Sequence, residues 1–253
     1  MPENKEKTYG SVLVKAIEIL DYLRDSKQAP TATDMVRDLA LTKSTLSKIL
    51  QTMQYYHLVE KENESNRYSM GGRLIGYGEK ASAQFSIEAI VHPYMESLLK
   101  EIGETVHLGV EENDYMMYIQ KMDSTEVVHL RSRIGETVRL YSSAMGKAVL
   151  ASKSASEIRT YMKKTTLEPL TTHTITDKKA FEKEIQTVQK LGYAVDNREN
   201  EDSVYCIGVA LVKKGKIYGA LSISVPLYRL TDEKKERIIQ GLLFCKGRIE
   251  EEI

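Results

Sequence analysis

The sequence predicts an α+β protein of two parts, a small winged helix-turn-helix module followed by a larger mixed α/β domain. Three observations carry this. Residues 11–70 read as three short helices and a hairpin. After Gly71-Gly72 the pattern changes to strands interleaved with longer helices. At roughly 100–200 residues per domain, 253 residues make one large domain or two modest ones.

The first ten residues are polar and charged and read as a frayed arm. Leu13, Ala16, Ile17, Leu20 and Leu23 then follow a helical spacing and predict a first helix with that stripe inward. The stretch Asp25 to Pro30 breaks it as a loop. Thr31 stands three residues before Asp34, a capping box with Asp for the usual Glu. The short helix it opens points Met35, Val36 and Leu39 inward. A third helix follows Ala40-Leu41-Thr42 and runs to about Tyr55, with Leu46, Ile49, Leu50 and Met53 on its apolar face. Leu58–Lys61 and Arg67–Met70 are short strands around the turn formers Glu62 to Asn66. A further helix spans about Arg73 to Ala83.

Beyond it, residues 87–102 are helical, with Pro93 as a point of interruption. Strands are predicted at Thr105–Val110, Tyr115–Gln120, Val127–Arg131, Val204–Val212 and Ile217–Val225. Helices are predicted at Ala144–Ala151, Ser154–Met162, Lys178–Leu191 and Glu233–Glu250. Such a set makes an α+β or three-layer domain. The expected boundaries are 1–70, 71–85 as a linker helix, and 86–253.

Thirty-six basic and 36 acidic residues give a net charge of +0, which excludes a histone-like coat protein and a polyacidic tail. The two cysteines, Cys206 and Cys245, form neither a disulfide framework nor a zinc-finger spacing. The N-terminus lacks an apolar signal core and no run approaches 18 apolar residues, so a cytoplasmic protein without a membrane partner is expected.

The third helix carries the nucleic-acid signal. Opposite its apolar face lie Ser44, Ser47, Lys48 and Gln51, side chains able to reach base edges and phosphates in a major groove. From Leu39 to Val59 there is no acidic residue, where the chain average predicts about three, and Lys43 and Lys48 are present. Asn63, Asn66 and Arg67 are placed to touch backbone or minor groove from the wing. Glu62 and Glu64 beside the wing count the other way, and a helical protein-interaction module with a polar outer face has the same pattern.

Residues 10–70 resemble the winged helix-turn-helix of the IclR family of bacterial transcriptional regulators. The likeness rests on Ser11 to Ala16, on Lys43-Ser44-Thr45-Leu46-Ser47-Lys48-Ile49-Leu50, and on Arg67-Tyr68-Ser69-Met70-Gly71. It implies that Lys43, Ser44, Thr45, Ser47, Lys48, Gln51 and Arg67 face DNA. The family usually has Arg at position 48 and Leu at position 70. Lys cannot make the planar bidentate contact of Arg, so operator sequence does not transfer.

The remainder is similar to the same family through Arg133-Ile134-Gly135, Leu140 to Ala151, Leu191 to Asp196, Cys206 to Val209, and Ala220 to Pro226. There the family has a GAF-like effector domain for small molecules, often organic acids. The residues also speak for themselves. Ser142, Ser143, Ala144, Met145 and Gly146 are mostly small and precede a helix, whose N-terminal N–H groups favour a carboxylate; a tight strand-to-helix turn would look the same. Alternation puts Ser222 and Ser224 on one strand face, as ligand donors or as a solvated surface. Cys206 alone reads equally as a small buried hydrophobe. By resemblance, Ala144, Met145, Asp196, Cys206, Ser222 and Ser224 line the effector pocket, with Ser143 and Gly146 at the turn. Ser203 and Ala210 replace the family's usual Gly and Pro. An ionised Asp196 would repel a carboxylate, which favours a keto or hydroxy acid as effector.

His57, His92, His107, His129 and His173 show no metal spacing, although Asp196 and His107 are candidates for a pair in space. No phosphate loop and no nucleophile elbow is present. Neither cofactor, metal nor catalytic residue is therefore expected. The expected protein is a ligand-responsive regulator, repressor-like. Its expected partners are double-stranded operator DNA and a small organic acid. One winged module contacts one half-site, so a homodimer or homotetramer is expected, with Leu74, Ile75 and Tyr77 as pairing surface. The competing readings are a GAF-like enzyme with an accessory helical domain and a protein-interaction scaffold.

Overall fold

The computed structural model describes residues 9–83, 87–126 and 130–253. It divides into two compact units, Met1–Gln84 and Phe85–Ile253.

The first unit holds α1 (Ser11–Asp25), α2 (Ala32–Asp38), α3 (Lys43–Tyr55), β1 (Val59–Lys61), β2 (Tyr68–Met70) and α4 (Arg73–Ser82). Both halves of the Thr31/Asp34 capping box form, which starts α2 one residue after Thr31. Leu46, Ile49, Leu50 and Met53 are buried as their spacing predicts. They pack with Ile19, Leu23, Met35, Val59 and Tyr68. The inward stripe of α1 is not the predicted one. Ile19 and Leu23 are buried with Ala16 and Leu20 beside them, while Leu13 is 64% and Ile17 50% exposed. Helix α1 is apolar on more than one side, and its partners choose which side is covered.

The hairpin pairs Val59 with Met70 and Lys61 with Tyr68. A bridge from Thr31 to Arg67 extends it, and the Tyr68 N–H donates to the Pro30 carbonyl at 2.8 Å. Gly71 is required where it stands, since a Cβ there would lie 2.1 Å from the His57 oxygen.

The second unit holds α5 (Ile87–Ile102), β3 (Thr105–Glu112), β4 (Tyr115–Met122), β5 (Thr137–Arg139), α6 (Ala144–Ala151), α7 (Ala155–Lys164), α8 (Lys178–Leu191), β6 (Ala194–Asn197), β7 (Val204–Lys213), β8 (Lys216–Pro226) and α9 (Asp232–Glu252). The strands form one antiparallel sheet in the order β5-β4-β3-β8-β7-β6. Pro93 lies inside α5 without dividing it, and is exposed. Residues 127–129 of the expected strand Val127–Arg131 lie outside the described residues, and Leu130 and Arg131 are not in a strand. The short strands β5 and β6 were not expected.

Strand alternation sorts the core into two layers. Ile207, Val209, Leu211, Leu221, Ile223 and Val225 face α5 and α9. On the other side, Ala210 and Ala220 pack with α6, α7 and α8. Helix α6 packs tightly because two glycines clear its surroundings. A Cβ on Gly208 would come within 2.9 Å of the Ala144 carbonyl carbon, and one on Gly146 within 2.3 Å of the Leu140 Cα. Ala144 to Leu150 are consequently all buried. Gly146→Ala forces backbone against backbone, where no side chain can swing away. It should destabilise the second unit by about 3 kcal/mol or more, measured by urea unfolding.

Candidate functional site

In the first unit, Lys43, Ser44, Ser47, Lys48 and Gln51 are exposed on α3, away from its buried stripe. Thr45 is half-buried, and Thr42 caps the helix by accepting from the Thr45 N–H at 3.2 Å while donating to the Thr45 hydroxyl at 2.9 Å. Lys43, Ser47 and Gln51 border a cleft of about 500 Å³ between α2, α3 and the hairpin. Thr33, Gln54 and Lys61 also line it; the sequence reading passed over them, although Gln54 continues the Gln51 side of the helix. The guanidinium of Arg67 donates to the Ala29 carbonyl at 2.6 Å, so this side chain ties the hairpin to the segment before α2.

In the second unit a cavity of about 40 Å³ opens between the start of α6 and the sheet, room for about three water molecules. It brings together Ser143, Ala144, Met145, Asp196, Cys206, Ser222 and Ser224 from the sequence-predicted set. Gly146 stands just behind as the residue whose N–H donates to the Ser143 hydroxyl at 3.1 Å. Ala144 and Met145 occupy the first two helical positions, so their N–H groups make no bond within the helix, and both residues line the cavity. Ser222 and Ser224 are buried against this layer, not on a solvated strand face.

The register lays a polar line across the floor. Asp196 stands opposite Cys206, and Cys206 opposite Ser224. The Cys206 thiol is 3.1 Å from the Ser224 hydroxyl, which is 3.4 Å from Nδ1 of His107. Nε2 of His107 is 2.7 Å from the Ser132 hydroxyl, and its ring tilts against Tyr118 at 4.8 Å between centroids. Asp196 and His107 thus share one cavity without direct contact, joined through Cys206 and Ser224. His107, Tyr118, Ser132, Asn200 and Glu201 are lining residues absent from the predicted set. For His107 a signal existed: Thr105, His107 and Gly109 alternate onto the face that β8 fills with Ser222 and Ser224.

The electrostatics are dominated by burial. Burial pushes His107 down to about 3, with Lys121 adding to the effect, so its ring is neutral. Burial likewise pushes the Cys206 thiol and the Tyr118 phenol well up. Asp196 is 3% exposed, and burial raises its carboxyl to about 7. The N–H groups of Glu199, at 2.7 Å, and Asn200, at 3.3 Å, both donate to its Oδ1 and oppose that rise. Among the described residues there is no group of three His, Cys, Asp or Glu side chains able to hold a metal ion.

The raised Asp196 fixes a pH dependence. Between about pH 4 and 7 the folded chain keeps a proton that the unfolded chain has lost, so stability falls as pH rises through that window. The slope from this group is at most about 1.4 kcal/mol per pH unit. Asp196→Asn, which keeps the Oδ1 acceptor, should remove this contribution. Melting curves at pH 5 and pH 8 should show the variant gaining on the parent at the higher pH.

The geometry agrees with what the chain is similar to. Residues 12–63 match the model of the IclR helix-turn-helix domain, and residues 80–250 that of the bacterial transcriptional regulator IclR C-terminal domain. The HTH-type transcriptional regulator KdgR of Escherichia coli (strain K12) is 30% identical over 240 residues, 94% of this chain and 91% of that protein. The crystal structure of the Thermotoga maritima IclR superposes with a TM-score of 0.82 at 31% identity, covering 96% of this chain and 98% of that one. An IclR homolog from Microbacterium hydrocarbonoxydans, complexed with 4-hydroxybenzoate, has the same fold at a TM-score of 0.73 and 22% identity, covering 94% of this chain and 97% of that one. Matched along both units, with relatives that regulate transcription, this chain belongs to the IclR family of bacterial transcriptional regulators.

Proposed function

We propose that the cavity at the start of α6 binds a small keto or hydroxy acid and that its occupancy controls how the first unit engages a double-stranded operator. The observation that carries this is the pairing of two unspent helix N–H groups, at Ala144 and Met145, with a line of polar groups from Asp196 to Ser132 across the cavity. The N–H groups suit a carboxylate. Asp196, titrating near neutrality, either donates its proton to that carboxylate or accepts from a ligand hydroxyl. The family relative complexed with 4-hydroxybenzoate supports an acid with a hydroxyl. An effector larger than the present cavity has to shift its lining, and the unbranched Met145 is suited to yield. The division into 1–70, a linker helix at 71–85 and 86–253 goes with this reading. So do cytoplasmic action as a repressor and assembly as a homodimer or homotetramer, to which α4 offers exposed Ile75 and Tyr77. Among the described residues no helix is long and apolar enough to cross a membrane.

Two measurements test the reading. Ser222→Ala with Ser224→Ala should abolish the response to keto and hydroxy acids in a gel-shift titration while binding without acid is kept; an unchanged response at the same acid concentration refutes the site. Lys48→Ala should weaken operator binding by about 1–3 kcal/mol at fixed salt with the melting temperature unaltered. Unchanged affinity removes Lys48 from the DNA contact.

A further inference from the structure

Lys147 lies on α6, one turn behind the cavity, and is 0% exposed. Its ammonium donates to Oε1 of Glu199 at 2.5 Å and to Oε1 of Glu184 on α8 at 2.9 Å. Glu199 is 4% exposed, and its Oε2 is buried with no hydrogen-bond partner. Burial works against the Lys147 charge, but the two carboxylates outweigh it and hold the ammonium above its ordinary value.

Packing alone does not call for this cluster. Replacing a buried ion pair with apolar side chains of similar volume is often neutral or stabilising. What the cluster does provide is a link. Glu199 belongs to the loop after β6, and its own N–H donates to Asp196 Oδ1 at 2.7 Å. Thr171 and Thr174 also hold this loop, through the Arg198 and Glu199 carbonyls at 2.7 Å each, but they tie it to the segment before α8. The Lys147–Glu199 pair ties it to α6. The loop carries Asn200 and Glu201 into the cavity wall, and Arg198 within it has a φ of 65°, a left-handed backbone that an Arg seldom adopts without being held.

We propose that Lys147 is a positioning residue of the effector site: through Glu199 it fixes the separation between the Ala144 and Met145 N–H groups and the Asp196 carboxyl. The inference rests on reading this cavity as the effector site, and it is tested with and without a ligand. Cys206 and Cys245 are the chain's two cysteines, both free, and they report on different places. Cys206 stands opposite Asp196, whereas Cys245 lies in the α5/α9 layer of the core.

The full-length double variant Lys147→Met/Glu199→Gln is compared with the parent for N-ethylmaleimide labelling, site by site by mass spectrometry. Labelling of Cys206 should rise about tenfold while Cys245 stays protected, because only the loop is released. Protection of Cys206 equal to the parent's overturns the proposal. An equal rise at both cysteines also overturns it, since the cluster then serves global stability. If the double variant does not fold, Glu199→Gln alone, which keeps the loop's backbone donors, is read by the same criteria. With pyruvate and 4-hydroxybenzoate as probes, calorimetry should show about tenfold weaker binding to the variant. Equal affinity for a probe the parent binds overturns the positioning role. If neither probe binds the parent, the labelling result still decides the role of Lys147, and only the choice of these two acids is at fault.

Discussion

Gly208 has no side chain because α6 passes directly over it, and the rest of the second unit follows from that contact. With the helix down on the strand, the residues of its first two turns are buried, and most polar groups beneath it find partners inside the protein. The Ser143 hydroxyl turns inward to cap Gly146 and donates to the Arg139 carbonyl at 2.8 Å. Lys147 finds two glutamates, and Asp196 takes two backbone N–H groups. The remaining space under the first turn is the cavity. A site for a small polar molecule is thus what is left when a short helix is pressed onto a sheet whose central strands carry glycine, alanine and serine there.

The two units use polarity in opposite ways. On α3 the short polar side chains stand outward in water, where a phosphate or a base edge can replace the solvent at little cost. In the cavity the same residue types are largely buried, so each unsatisfied hydrogen bond is costly and selectivity follows. A neutral His107 and a carboxyl poised near neutrality leave few fixed charges on the floor of the site. Recognition there rests on matching donors to acceptors.

Much of this was legible in the sequence where a periodic pattern ran long enough. The buried stripe of α3 and the alternation of Ser222 with Ser224 were read correctly because one element fixes each. The stripe of α1 was misplaced because Val12, Leu13, Ala16, Ile17, Ile19, Leu20 and Leu23 offer two overlapping faces, and the choice belongs to the helices packed against it. Strands β5 and β6, of three and four residues, are too short to show a period. The site residues that sequence missed depend on distant pairing. Glu199 meets Lys147 across 52 positions, and nothing local announces it except a lysine set in the apolar run Ala144 to Ala151.

Helix α1 also carries a thermodynamic debt. Beyond its buried stripe it shows Val12, Leu13 and Ile17 to solvent, at 63%, 64% and 50% exposure. Any surface that covers them binds the folded form and not the unfolded chain, so it stabilises by mass action. Where such a surface is present, the melting temperature rises with its concentration.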